Sequence, residues 1–139
     1  MRYRLGMLLI GMLCFVSCGK DNQSTIPYVA VNFQAPLSDP RLSKLNSIGG
    51  AVTVSGYGVA GLVLYHSADG SYHAYDRCSS YEPEKKCAVN IDDTGFQAVD
   101  PCSGSKFSLA DGSPVKAPAS RSLRAYLVSV NNFTIFVSN

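Results

Sequence analysis

The sequence predicts an all-β domain, an antiparallel sandwich or small barrel with one short helix. Three observations carry this. Short runs rich in Val, Tyr, Phe and Ile recur from residue 28 to residue 139. Turn pairs such as Asp69-Gly70, Asp111-Gly112 and Asn131-Asn132 separate them at close spacing. Beyond the first 17 residues, only 38–45 carry helix signals.

In chain order, Met1-Arg2-Tyr3-Arg4 is a short cationic head, and residues 5–16 are an uncharged apolar run. Such a head and run describe a secretory signal. The run is too short to cross a bilayer, which takes roughly 20 residues. It ends in Phe15-Val16-Ser17-Cys18-Gly19, which resembles the lipobox of bacterial lipoproteins, with Phe15 where Leu is usual. The resemblance implies a signal peptide at 1–17 and lipid attachment at Cys18, and hence a cell-envelope protein held to a membrane. Gly19 stands where Asp would signal inner-membrane retention in some Gram-negative bacteria, so the outer membrane is expected if the organism is Gram-negative. Residues 18–27 are the lipidated Cys and a polar tether, and residues 28–139 form one domain.

The first strand is expected at 28–33. Ser38-Asp39-Pro40 supplies a cap and a first-turn proline for one or two helical turns over 41–45. Strands are then expected at 51–55, 62–66, 72–76, 87–91, 96–99, 107–109, 123–130 and 133–137. Asp92-Asp93-Thr94-Gly95 reads as a hairpin turn, as does Asn131-Asn132.

Charge narrows the partners. The chain has 12 Lys+Arg and 10 Asp+Glu, and two of the cations leave with the signal. No basic run of five or more exists, so neither nucleic acid nor anionic lipid head groups are expected partners. Gly56-Tyr57-Gly58-Val59-Ala60-Gly61 fits G-x-G-x-x-G, but a strand-like Leu62-Val63-Leu64-Tyr65 follows where a dinucleotide site needs a helix. A glycine-rich hairpin is the better reading. His66 and His73 lack metal-ligand spacing, and no catalytic elbow or carboxylate pair is present. No catalytic residues are assigned.

The informative segments are Tyr75-Asp76-Arg77-Cys78-Ser79-Ser80 and Asp100-Pro101-Cys102-Ser103-Gly104-Ser105-Lys106-Phe107. Asp111-Gly112, Ala117-Pro118-Ala119 and a closing hairpin follow. Their order and spacing resemble the Rieske iron–sulfur domain, with C-x-H on one loop and C-P-x-H-G-S on a second. The resemblance implies a Rieske-like β domain with a two-loop tip. In that family two Cys hold one iron and two His the other. Here Cys78 keeps the first Cys position, Ser80 replaces the first His, Asp100 the second Cys and Ser103 the second His. Three of four ligands are changed, and hydroxyls suit soft iron–sulfur chemistry poorly. No cofactor or metal is expected, with a retained [2Fe–2S] cluster as the alternative.

Some Rieske domains tie the two loops with a disulfide at the position of Cys102, its usual partner lying near Pro83 here. Cys87–Cys102 is one candidate pair, because the turn at 92–95 folds the chain back on itself. Cys78–Cys102 is the rival, from family geometry. The expected function is a non-catalytic binding or structural module. The alternative is a redox protein, carrying electrons through a cluster or exchanging thiols. The tip offers Tyr81, Glu82 and Lys85 for contact with an envelope protein or a glycan.

Overall fold

The computed structural model describes residues 25–139; the signal, Cys18 and most of the tether lie outside the described residues. Among the described residues, ten strands form two antiparallel sheets. The first sheet contains β1 (Asn32–Pro36), β2 (Ala51–Val54), β3 (Leu62–His66), β4 (Tyr72–Asp76), β9 (Ala125–Asn131) and β10 (Thr134–Ser138), in the order β1-β10-β9-β4-β3-β2. The second contains β5 (Asn90–Ile91), β6 (Gln97–Val99), β7 (Lys106–Ser108) and β8 (Pro114–Lys116), in that order.

The central strand β3 explains how the sheets stack. Leu62 and Leu64 enter one core, with Phe33, Leu42, Leu45 and Ile135. Val63 and Tyr65 point the other way, into a second core with Val89, Phe107 and Leu109. An unbroken apolar run is what a strand buried on both faces requires. Each fully buried side chain of this kind contributes ~1.5–3 kcal/mol.

The short helix is a 3-10 helix, Pro40–Asn46, capped by the Asp39 carboxylate, which accepts from the Arg41 N–H at 2.9 Å. Leu42 and Leu45 roof the first core. A further 3-10 turn, Pro83–Lys85, was not expected from the sequence.

Three sequence expectations shift. The first strand occupies Asn32–Pro36 rather than 28–33, and Tyr28 is exposed. The Val31 N–H and the Val29 carbonyl bond to the Asn139 side chain, so the β1–β10 ladder starts at Asn32↔Ser138. Residues 87–89 do not pair with β6: the Val89 N–H donates to the Arg77 carbonyl, and the Cys87 carbonyl accepts from Ser79. They pair antiparallel with residues 77–79, just past the end of β4, leaving β5 only Asn90–Ile91. Finally, the β9–β10 turn is Asn132-Phe133, at φ 48° and 57°, not Asn131-Asn132. This register keeps Ile135 and Val137 on the core face, where a one-residue slip would expose both. The strand β8 was not expected; it opens on Pro114 at the sheet edge, where a missing N–H costs no ladder bond.

The glycine-rich hairpin has a specific use. The N–H groups of Val59 and Ala60 donate to the buried Asp76 carboxylate at 2.7 and 3.2 Å. Gly58 has φ +63°, and a Cβ there would lie 2.3 Å from Asp76 Oδ2. The G-x-G-x-x-G segment cradles an anion of its own chain, not a phosphate.

Candidate functional site: the two-loop tip

Both loops begin where a strand of the second core ends. The first leaves β4 at Asp76 and runs through Cys78, Ser79 and Ser80. Cys78 is held by its N–H, which donates to Asp76 Oδ1 at 2.8 Å. Asp76 Oδ2 also accepts from the Tyr126 hydroxyl at 2.7 Å, so one carboxylate joins the hairpin, β9 and the tip. Burial, then the Asp76 bond, push the Tyr126 hydroxyl pKa up.

The second loop leaves β6 and closes on itself, with Asp100 N–H to the Ser105 carbonyl at 2.8 Å and Gly104 N–H to the Asp100 carbonyl at 2.8 Å. Asp100 is fully buried. Its Oδ2 accepts from Ser79 Oγ at 2.7 Å and Ser103 Oγ at 2.6 Å, and its Oδ1 accepts from the Cys102 N–H at 2.8 Å. Burial alone would raise its pKa. The hydroxyls of Ser103 and Ser79 and the N–H groups of Cys102 and Ser103 outweigh that, and the carboxyl titrates below its ordinary 3.8. Asp100 is therefore a buried anion at neutral pH, satisfied by hydrogen bonds.

A third segment completes the tip. The Ser105 hydroxyl accepts from the Ala119 N–H at 2.9 Å and lies 2.8 Å from Ser103 Oγ. Ser80 Oγ donates to the Arg121 carbonyl at 2.6 Å. Cys87 and Cys102 are joined in a disulfide with their Cα atoms 6.4 Å apart, which pins the two loops together. Among the described residues Cys78 is the free cysteine, and it is buried; burial, then the Asp76 charge, push its thiol up to about 11.

The four degenerate positions are thus brought to one end of the domain, but each is committed elsewhere. The Cys78 thiol points at the Pro83 carbonyl at 3.5 Å, Ser80 bonds Arg121, and Ser103 bonds Asp100. Both described histidines lie in the first sheet: His66 Nδ1 is 2.8 Å from the Leu45 carbonyl, and His73 Nε2 is 3.0 Å from Ser71 Oγ. Among the described residues, the one group of three potential metal donors within 4.8 Å is Cys87, Asp100 and Cys102, and both of its sulfurs are in the disulfide. A two-Cys, two-His [2Fe–2S] cluster does not fit this donor set.

Of the residues expected at the contact surface, Glu82 and Lys85 form an exposed ion pair at 2.6 Å. Tyr81 is partly buried against the second core, so its ring is not freely displayed. Asp76, Ser79 and Ser105 were not singled out from sequence. Their only signal was polar residues clustered beside two cysteines.

No protein-family model matches the sequence, and no curated protein matches it. Solved structures do. The cyanobacterial plasma membrane Rieske protein PetC3 from Synechocystis PCC 6803 superposes with a TM-score of 0.55 at 21% identity, over 81% of this chain and 100% of that one. The fold is Rieske-like. The ferredoxin of carbazole 1,9a-dioxygenase from Nocardioides aromaticivorans IC177 superposes at 0.51, with 17% identity over 79% of this chain and 97% of that one. A chain in a complex of oxygenase and ferredoxin in carbazole 1,9a-dioxygenase gives 0.51, with 20% identity over 78% and 99%. Each spans nearly the whole of the matched chain, so the Rieske-like unit here is a full domain. Among the described residues no helix is long and apolar enough to cross a membrane.

Proposed function

We propose that the chain is a lipid-anchored envelope protein whose Rieske-like domain works without a cluster, as a non-catalytic binding or structural module. One observation carries the reading. Asp100, at the position of the second cluster cysteine, is saturated by Ser79, Ser103 and the Cys102 N–H, so the space between the loops is organised by protein groups. The disulfide supports it by fixing the loops covalently. The competing reading, electron transfer through a retained [2Fe–2S] cluster, draws on the fold alone. Thiol exchange by Cys78 is disfavoured, because a buried thiol with a raised pKa is a poor nucleophile.

In this reading Cys18 carries the lipid, and the membrane is the outer one in a Gram-negative cell. The tip, with Glu82 and Lys85 exposed and Tyr81 behind them, meets another envelope protein or a glycan. A photoreactive residue placed at position 85 in intact cells, with a control at exposed Leu127 on β9, tests the contact. Capture from position 85 and not from 127 is expected; equal or no capture ends the binding claim. Cys18→Ala is expected to release the protein from membranes or block its processing. Unchanged fractionation and cleavage would remove the anchor from the account.

A further inference from the structure

One face of the first sheet is only half covered. On β3 and β4 it buries Val63, Tyr65 and Tyr75 in the second core, against Ala98 and Phe107 of the second sheet. Tyr75 pairs with Ala125, and paired residues share a face, so the same face continues onto β9, β10 and β1. There its cross-strand rows are Leu127–Ser138–Asn32 and Ser129–Phe136–Gln34. All six residues are exposed, Leu127 to 72%. At the end of the same hairpin Phe133 is 84% exposed, with φ 57° in the left-handed region. A bulky side chain is costly in that region, and Gly or Asn would make the turn better. The turn gains nothing from this ring. Tyr28 and Val29 are also exposed and lead into β1, with the Val29 carbonyl held by the Asn139 side chain at 2.7 Å. From Pro27 to Ser38 and from Ala125 to Asn139 there is no charged side chain. Open sheet faces and edges are ordinarily guarded by charge. This one is not.

We propose that this open face of β1, β10 and β9 lies against the surface of a lipid bilayer, with Phe133 in the interface. Where the chain enters the domain selects lipid as the occupant. β1 is the edge strand, and it receives the chain arriving from Cys18. Tyr28 follows Cys18 by ten residues, a reach of at most ~35 Å at ~3.5 Å per residue. A lipid on Cys18 therefore keeps this edge of the domain at the membrane. The absence of charge agrees, because no ion has to be desolvated at the interface. Leu127, Phe133 and Phe136 supply apolar surface, and Tyr28 supplies a ring with a polar end, the kind that settles at head-group level. The amides and hydroxyls of Asn32, Gln34, Ser129 and Ser138 stay hydrogen-bonded to head groups and water. The inference rests on the anchor proposed above and adds which side of the domain meets lipid. That side captures lipid, not protein, so position 127 remains a control for protein or glycan capture at position 85.

The chain has no Trp, so a single Trp reports its own position. The full lipidated chain carrying Phe133→Trp is placed in phosphatidylcholine vesicles containing brominated phosphatidylcholine, beside a chain carrying Phe96→Trp. Phe96 is 57% exposed and precedes β6 of the second sheet. Quenching at position 133 is expected to exceed that at 96 about threefold or more, with a blue-shifted emission. Leu127→Ser with Phe136→Ser is expected to remove at least about half of that quenching while the chain stays membrane-bound through its lipid. Both residues are exposed, and an unchanged thermal midpoint checks that the fold is intact. Adding phosphatidylglycerol is expected to change nothing, since the face bears no charge. Mass spectrometry reports separately whether Cys18 carries lipid. If it does not, the anchor reading fails, and Cys18 in a Cys14→Ser chain is coupled to a maleimide phospholipid so that the face is still tested. Equal quenching at 133 and 96, or quenching unaffected by the double substitution, overturns the proposal. A dimer in detergent that the same double substitution dissolves also overturns it, by giving the face to a second copy of the chain.

Discussion

In the first sheet and its two cores, the side chains that lose contact with water are Leu62, Leu64, Ile135 and their neighbours. At the tip they are Ser79, Asp100 and Ser105, three of the five buried polar residues described. The sheet is held by non-directional burial, which needs only the right faces inward. The tip is held by hydrogen bonds to a buried carboxylate and by a disulfide, each of which needs a particular partner. The β framework stands on its own apolar cores, while the loops depend on particular polar partners and one covalent link.

The largest expected effect is on the framework. Leu64→Ala opens a cavity under a strand that serves both cores, and a loss of about 2–5 kcal/mol is expected in denaturant unfolding. Next comes the tie between the loops. Cys87→Ser with Cys102→Ser removes a link across 15 residues, with an expected loss of ~3 kcal/mol. Hydrogen exchange locates the loss. It is expected to speed up in residues 77–105 and leave the β1-β10-β9 ladder protected. Equal loss in both would mean that the two regions do not behave separately.

Asp100→Asn is expected to cost about 1–3 kcal/mol, because an amide cannot accept all the bonds the carboxylate accepts. Its pH dependence has a definite sign. The folded-state pKa lies below 3.8, so the stabilisation is present above the unfolded value and lost as pH falls through the lower folded value. The wild type should lose stability in that acid window, and Asp100→Asn should lose less there. The smallest effect is Ser103→Ala, about 1 kcal/mol, from one bond to the same carboxylate.

The framework was legible because it is written in hydrophobic period. Residues 62–66 and 72–76 became β3 and β4 with the expected bounds. The turn at Asn132-Phe133 was displaced because local preference favours two asparagines, while the register needed by Ile135 and Val137 overrides it. β8 carried too little pattern to see, since Pro114 and Lys116 argue against a strand. At the tip, residue-by-residue comparison with the Rieske pattern located Cys78, Ser80, Asp100 and Ser103 at one end. It could not reveal that Ser79, between two matched positions, would bond Asp100 across 21 residues of sequence. Nor could it reveal that Asp76 would join the hairpin of residues 56–61 to the tip, since long-range polar contacts leave no period to read.

The central claim is that Asp100 and its serine donors, with the disulfide, stand where a cluster would otherwise organise the loops. The direct measurement is iron and acid-labile sulfide per chain, with visible absorption and EPR, on protein made in an iron–sulfur-competent host. The account predicts colourless protein with neither element above background. Near-stoichiometric iron and sulfide with a Rieske-type EPR signal would contradict it.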